Sequence, residues 1–318
     1  MLKTILRRFG FASFTLVFVS GLVFISVEAL PGDVCTAYLQ RYAQGARLEH
    51  CIEEQGLNKP AIERYVLWVS GAFQGDLGTS LKKRRPISDL LGERFQNTAL
   101  LASAAAAVGI PLALVLGFWA GIRRDKPTDL VVSTVAMLAM TIPEFVTASV
   151  LIFICAIKLN WFPAVTIVRS SASITELLPN IILPVGVLAF VMAAHILRMT
   201  RASVIEVMTS DFIQMARLKG VPWRQLLWRH LAPSALIPAV NVIALTTAWL
   251  LGGVVVIEQV FNYPGMGNLM LQAIYDRDLP LVQAIALIFA MIYIVANLLA
   301  DIAMVILDPR IRTSKEVR

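Results

Sequence analysis

The sequence predicts an all-α transmembrane fold with six spanning helices and both termini on one side of the membrane. Three observations predict it. Hydrophobic residues make up 58% of the 318 and charged residues 15%, against roughly 45–50% and about 25% in soluble domains, so polar surface is too scarce to coat a globule in water. The apolar residues gather into runs long enough to cross a bilayer. Lysine and arginine gather in alternate connections between those runs.

A hydrocarbon core about 30 Å thick needs about 20 apolar residues per helix. Spans are expected at about 9–29, 95–122, 130–157, 177–198, 231–257 and 279–306, all within one transmembrane domain over 1–318. Five of them hold long stretches free of Asp, Glu, Lys and Arg, while the third carries Glu144 near its middle. The first span follows a basic start and ends near Val27 and Ala29, small residues at the spacing of a signal-peptide cleavage site; its length favours a retained helix over a removed one. In the third, Pro143 removes a backbone donor and predicts a kink beside Glu144. Pro179 and Pro184 open the fourth, where they cost little, and Gly252 and Gly253 in the fifth suit close helix packing.

Orientation follows from Lys and Arg near the helix ends. The N-terminus, the turn after span 2, residues 198–229 and the tail from 310 hold sixteen, whereas the short loops 158–180 and 258–280 hold only Lys158, Arg169 and Arg277. Both termini are therefore expected inside. Residues 31–96 become a long external segment whose Lys82-Lys83-Arg84-Arg85 run opposes the rule, and its length exempts it in part. Cys35 and Cys51 lie in this segment, where an oxidising compartment permits a disulfide worth about 3 kcal/mol; two unrelated thiols are the alternative. Cys155 reads as a packing residue.

Composition also excludes functions. The chain contains no Gly-Lys dipeptide, so a phosphate-cradling G-x-x-x-x-G-K-[ST] loop is absent and ATP would have to be hydrolysed elsewhere. Three His and three Cys supply no metal cluster, and no convergent nucleophile and base point to an enzyme. A formal charge of +7 suits loops facing anionic lipid better than nucleic acid.

Residues 199–230 form the cytoplasmic segment most patterned for a mechanism. Ser210 or Asp211 can cap a helix from 212 to 219, Gly220 supplies a left-handed stop, and Pro222 suits the first turn of a following helix. Phe212, Met215, Ala216 and Lys219 share one face, with Arg217 and Lys219 adding positive charge. By spacing alone, this helix either docks in a groove of a partner or rests on lipid headgroups.

The run Asp211-Phe212-Ile213-Gln214-Met215-Ala216-Arg217-Leu218-Lys219-Gly220, with His230 and Pro238 beyond it, resembles the EAA loop of binding-protein-dependent ABC importers. Its Ala-Arg-Leu-Lys-Gly core is similar to that of the dipeptide/oligopeptide/nickel permease family, which has Ala in place of Leu218. The resemblance extends to Pro31-Gly32-Asp33, Gly75-Asp76-Leu77-Gly78-Thr79-Ser80, Phe261-Asn262-Tyr263-Pro264-Gly265-Met266-Gly267, Arg277-Asp278-Leu279-Pro280 and Asp308-Pro309-Arg310-Ile311-Arg312. It implies a type I importer-like permease in the bacterial inner membrane, paired with a second, homologous six-span permease. Two cytoplasmic ATPase subunits holding ATP and Mg would bind the EAA segments, and an external binding protein would deliver peptides or peptide-like solutes. No cofactor is expected on this chain. Docking then falls to Asp211, Phe212, Met215, Ala216, Arg217, Lys219 and Gly220, with Gly220 and Pro222 setting the bend.

Charges at membrane depth are functional candidates. Glu144 either lines the solute pathway and meets an amine, or is neutralised by a proton or by an arginine of the partner permease. His195 and Arg198 lie where snorkelling to the interface explains them. An ion-coupled secondary transporter would need more midplane charges than Glu144 and an internal repeat. Neither that rival nor a membrane enzyme accounts for the EAA-like segment.

Overall fold

A computed structural model describes residues 2–29, 34–54, 56–168 and 173–307. The Pro31-Gly32-Asp33 and Asp308–Arg312 motifs and Arg169 lie outside the described residues. The helices are α1 (Leu2–Glu28), α2 (Val34–Leu39), α3 (Ala46–Glu54), α4 (Ala61–Phe73), α5 (Ile87–Ile122), α6 (Pro127–Thr141), α7 (Glu144–Leu151), α8 (Ile174–Met208), α9 (Asp211–Leu218), α10 (Trp223–Gln225), α11 (Ala232–Val260), α12 (Met266–Tyr275) and α13 (Leu279–Leu307). A π-helical stretch, Ile152–Lys158, prolongs α7, and another, Leu226–Leu231, joins α10 to α11. Among the described residues, five helices are long and apolar enough to cross a membrane, and α6 with α7 and its π-helical extension passes the same test as a pair bent by 109°.

At the centre stand α5 and α8, side by side and pointing the same way. Residues 101, 105, 109, 113, 117 and 121 of α5 recur every four positions as one buried stripe, small from Ala105 onward. A side chain added at Gly117 would meet the Leu197 carbonyl oxygen at 2.7 Å, so the two backbones approach in the manner of small-residue contacts between membrane helices. Gly109 lies against Ala189 and Gly121 against Arg201 and Val204, which fixes the parallel register. Leu101, Ile181, Val187, Met192 and Ile196 fill the surrounding core with Leu250, Val254 and Ile257 of α11. On the outside, α1 packs against α13 and α4, leaving Phe11, Phe14 and Phe18 exposed as a lipid-facing surface would be.

Two helices running in parallel require the chain to return between them. It leaves α5 through a turn and enters α6 at Asp129, whose buried carboxylate accepts Arg201 Nε at 2.5 Å and Nη2 at 2.7 Å near the end of α8. Beyond the π-helical stretch, the Thr166 N–H donates to the Phe261 carbonyl at 2.8 Å, at the far end of α11. The broken pair α6–α7 thus begins at the end of the bundle that holds α9 and finishes at the end that holds α12.

Two boundaries differ from the expectations. The third expected span is not one kinked helix: helical bonding stops at Thr141, and Pro143 becomes the N-cap of α7 with ψ 143°. A proline forbids the α conformation at the residue before it, so Ile142 turns extended and the chain bends far more than a single lost hydrogen bond requires. The helix that holds the fourth expected span does not end at 198. It runs unbroken to Met208, where Val204 packs into the α9 core and Arg201 is held by Asp129, so residues 199–208 continue α8.

Candidate functional site

The surface around α9 is built by anchoring one face and leaving the other open. Ile213, 1% exposed, packs with Val204, Leu226, Leu231 and Ala235, and Phe118 and Ile122 of α5 close over them. Burying that isoleucine contributes about 1.5–3 kcal/mol and holds the short helix to the foot of α8. Ser210 occupies the N-cap position, but its hydroxyl donates back to the Val207 carbonyl at 2.5 Å instead of accepting from the first turn. Asp211 supplies the negative charge that the first turn favours. At the other end Gly220 takes φ +73°, which a side chain would strain, and the Val221 N–H closes on the Ala216 carbonyl at 3.2 Å. Pro222 stands at the N-cap of α10, one position earlier than expected, and its carbonyl accepts the Leu226 N–H at 2.9 Å.

The open face differs in one member from the face read off the sequence. Ala216 turns inward and packs beside Ile213, three positions away on the same side of the helix. Leu218 points outward and is 83% exposed. With Phe212 and Met215 it forms an apolar surface rimmed by exposed Asp211, Arg217 and Lys219, and the Arg217 guanidinium lies 5.4 Å from the centre of the Trp223 ring. Leu218 was legible only as a departure from the usual motif; its spacing of three from Met215 is the signal that marks the face.

Glu144 begins α7 and lies against α11. A side chain added at Gly253 would meet Glu144 Oε2 at 2.6 Å, so the glycine makes room for the carboxylate, while Gly252 has open space. Glu144 Oε2 is buried and finds no hydrogen-bond partner among the described residues. Towards the α9 end, a cavity of about 420 Å³ opens between α8 and α11, lined by His195, Arg198, Met199, Ala202, Val242, Leu245 and Thr246.

Residues 113–313 match the model of the binding-protein-dependent transport system inner membrane component, and residues 1–102 match that of its N-terminal region. The chain belongs to this permease family. A Brucella abortus protein provisionally named as a peptide transport system permease is 35% identical over 312 residues, covering 98% of this chain and 99% of its own. The oligopeptide transport system permease protein AppB of Bacillus subtilis is 32% identical over 98% of this chain and 99% of its own. The glutathione transport system permease protein GsiC of Escherichia coli is 32% identical with the same coverage.

In this permease the other motifs that carried the resemblance converge at the α12 end. Glu258, fully buried, accepts Thr98 Oγ1 at 2.6 Å and the first-turn N–H groups of Gly267 at 2.7 Å and Asn268 at 3.1 Å, so it caps α12 from a neighbouring helix. Thr98 Oγ1 in turn accepts the Met266 N–H at 2.8 Å. Asn97 Nδ2 donates to the Pro264 carbonyl at 2.8 Å, and the Tyr263 hydroxyl donates to the Asn97 carbonyl at 2.9 Å. Burial, with the nearby Glu258 charge, pushes the Tyr263 phenol above its usual pKa. In the sequence Glu258 stands only as the residue after the apolar run 231–257. The signal lay in the paired glycines Gly265 and Gly267 a few residues on, since a side chain at Gly265 would collide with its carboxylate.

Asp278 performs a similar task for the loop before α5. It accepts the Ser80 hydroxyl and the N–H groups of Leu81 at 3.3 Å and Lys82 at 3.2 Å, joining Gly75–Ser80 to Arg277–Pro280 across nearly 200 residues. The Lys82–Arg85 run is thereby a folded turn, with Arg85 Nη2 donating to Glu93 at 2.9 Å. Burial and the charge of Arg94 lower the Lys83 pKa, against the opposing pull of Asp276, Asp278 and Glu93. Cys35 and Cys51 form a disulfide with Cα atoms 5.8 Å apart, and Cys155 is a free thiol packed on the central core.

Proposed function

We propose that this chain is one permease subunit of a binding-protein-dependent ABC importer moving peptides or peptide-like small solutes by ATP-driven alternating access. ATP is bound with Mg and hydrolysed on two separate subunits; a second, homologous permease completes the pathway, and a binding protein delivers the solute from outside. The observation that carries this reading is the exposed apolar surface of α9, rimmed by Arg217 and Lys219 and fixed to the end of α8 by Ile213. A partner that grips Phe212, Met215 and Leu218 moves α8 with them, because that helix continues without a break from the membrane to Met208. The names of the relatives support peptides and glutathione-like solutes as the cargo class.

Six crossings with both termini inside fit this reading. They are supported by the broken pair α6–α7, which starts beside Arg201 and ends beside Phe261, and by sixteen Lys and Arg residues in segments assigned to the inner side. The test is ATP-dependent uptake in proteoliposomes holding this chain with the partner permease, ATPases and binding protein. Gly220→Pro and Arg217→Glu are expected to abolish uptake while the purified complex still assembles. Uptake by this chain alone, driven by an ion gradient, overturns the reading.

A further inference from the structure

Glu144 and the cavity between α8 and α11 sit on one stripe of α11. Gly253, which makes room for Glu144, and Thr246, which lines the cavity, are seven residues apart on that helix. Seven residues are nearly two full turns and a rise of about 10.5 Å, so the two positions face the same way. Val242, also on the cavity wall, continues the stripe one turn further. Across from Thr246 the cavity is walled by His195 and Arg198 of α8. The Glu144 carboxylate and the basic wall of the cavity therefore lie beside one track of α11.

Charges at membrane depth face a cavity or the bundle interior, not lipid. Snorkelling accounts for an arginine at a helix end, but it does not account for a cavity that Arg198 shares with His195 and the buried Thr246. Nor does it account for a carboxylate oxygen buried against α11 with no protein donor among the described residues. An uncompensated acceptor and a basic cavity one peptide-length apart suit a ligand that carries both complementary charges.

We propose that α8 and α11 carry a divided site for a zwitterionic peptide, with Glu144 receiving the ammonium group and His195 with Arg198 receiving the terminal carboxylate. This rests on the import reading above and narrows its cargo. The α11 positions beside the two ends are about 10.5 Å apart, the length of about three residues of extended chain, which sets the scale of the ligand at a tripeptide and not a single amino acid. Because Arg198 lies nearer the α9 end than Glu144, the carboxylate leads towards that end. The apolar walls at Met199, Ala202, Val242 and Leu245 impose no side-chain pattern, so this site reads the termini of the peptide and not its sequence.

The experiment measures equilibrium binding to the assembled permease–ATPase complex in nanodiscs, with the binding protein omitted so that its own selectivity does not enter. The probes are trialanine, its C-terminal amide and its N-acetyl derivative. The native complex is expected to prefer trialanine over either derivative by about tenfold, the scale of one lost charge-assisted hydrogen bond. Arg198→Gln should erase the preference over the amide and keep that over the N-acetyl form; Glu144→Gln should do the reverse, and Arg198→Lys should restore the native pattern. Equal binding of all three peptides by the native complex, or equal weakening of all three by either variant, overturns the proposal. Failure of the import reading looks different: the native complex with every partner present then shows no ATP-dependent uptake of any peptide.

Discussion

The two ends of the bundle are held by different physics. At the α12 end, buried carboxylates organise backbone donors: Glu258 caps α12 and Asp278 ties down the turn at 80–82, and both act between segments far apart in sequence. At the α9 end the anchors are apolar, with Ile213, Leu226 and Leu231 in one small core, reinforced by the Asp129–Arg201 pair. A buried acceptor with three donors leaves unpaired groups if anything shifts, which makes the α12 end stiff and specific in geometry. An apolar patch tolerates sliding. The difference teaches that the α12 end is fixed by buried carboxylates bonded to backbone donors, while the α9 end is fixed by apolar packing and one buried ion pair.

Mutations should break that contrast in a definite order. The largest effect is expected from Glu258→Ala, which strands the Thr98 hydroxyl and two N–H groups of α12 in a dry site, at a cost of about 3–5 kcal/mol. Folded yield by size-exclusion chromatography should collapse, and Glu258→Gln should recover part of it. Next comes Arg201→Ala, which leaves Asp129 buried without its guanidinium. Its cost is about 3 kcal/mol in thermal unfolding, and Asp129→Asn added to it should lower that cost by relieving the stranded charge.

Asp278→Ala should cost less, about 1–3 kcal/mol, and act locally. The turn at 80–85 is expected to open, and limited trypsin digestion should then cut at Lys82–Arg85 many times faster than in the native permease while the helices stay intact. Unchanged digestion would mean that the turn stands without Asp278. The smallest effect on stability is expected from Leu218→Ser, within about 0.5 kcal/mol, since the side chain is 83% exposed. The same change should lower ATP-dependent uptake about tenfold if α9 is the gripped surface, which separates docking from folding more sharply than any buried substitution does.

Much of this could be read along the chain, and the reasons for the misses are specific. The apolar runs located five long helices because burial of about 20 residues in lipid leaves a signal that needs no neighbour. The turn at Gly220 was legible because a glycine after a helical pattern answers a local need for positive φ. That Ala216 is half-buried beside Ile213 was not legible, because a helix only eight residues long offers two overlapping apolar stripes and the core beneath Ile213 covers part of both. Glu258 was passed over because its partners come from residue 98 and residues 267–268, which no local pattern connects.

By itself the sequence determined that the chain is helical and lipid-embedded, where its long helices run, and that a patterned polar segment follows the fourth of them. Those properties depend on hydropathy and on backbone preferences within a turn or two. The tertiary structure alone decided that α5 and α8 run in parallel on a stripe of small residues, that α6 and α7 meet at a bend of 109°, and that Glu144 rests against Gly253. Each of these depends on which surfaces approach closely enough to exclude a side chain, a relation between distant segments that no short stretch of sequence contains.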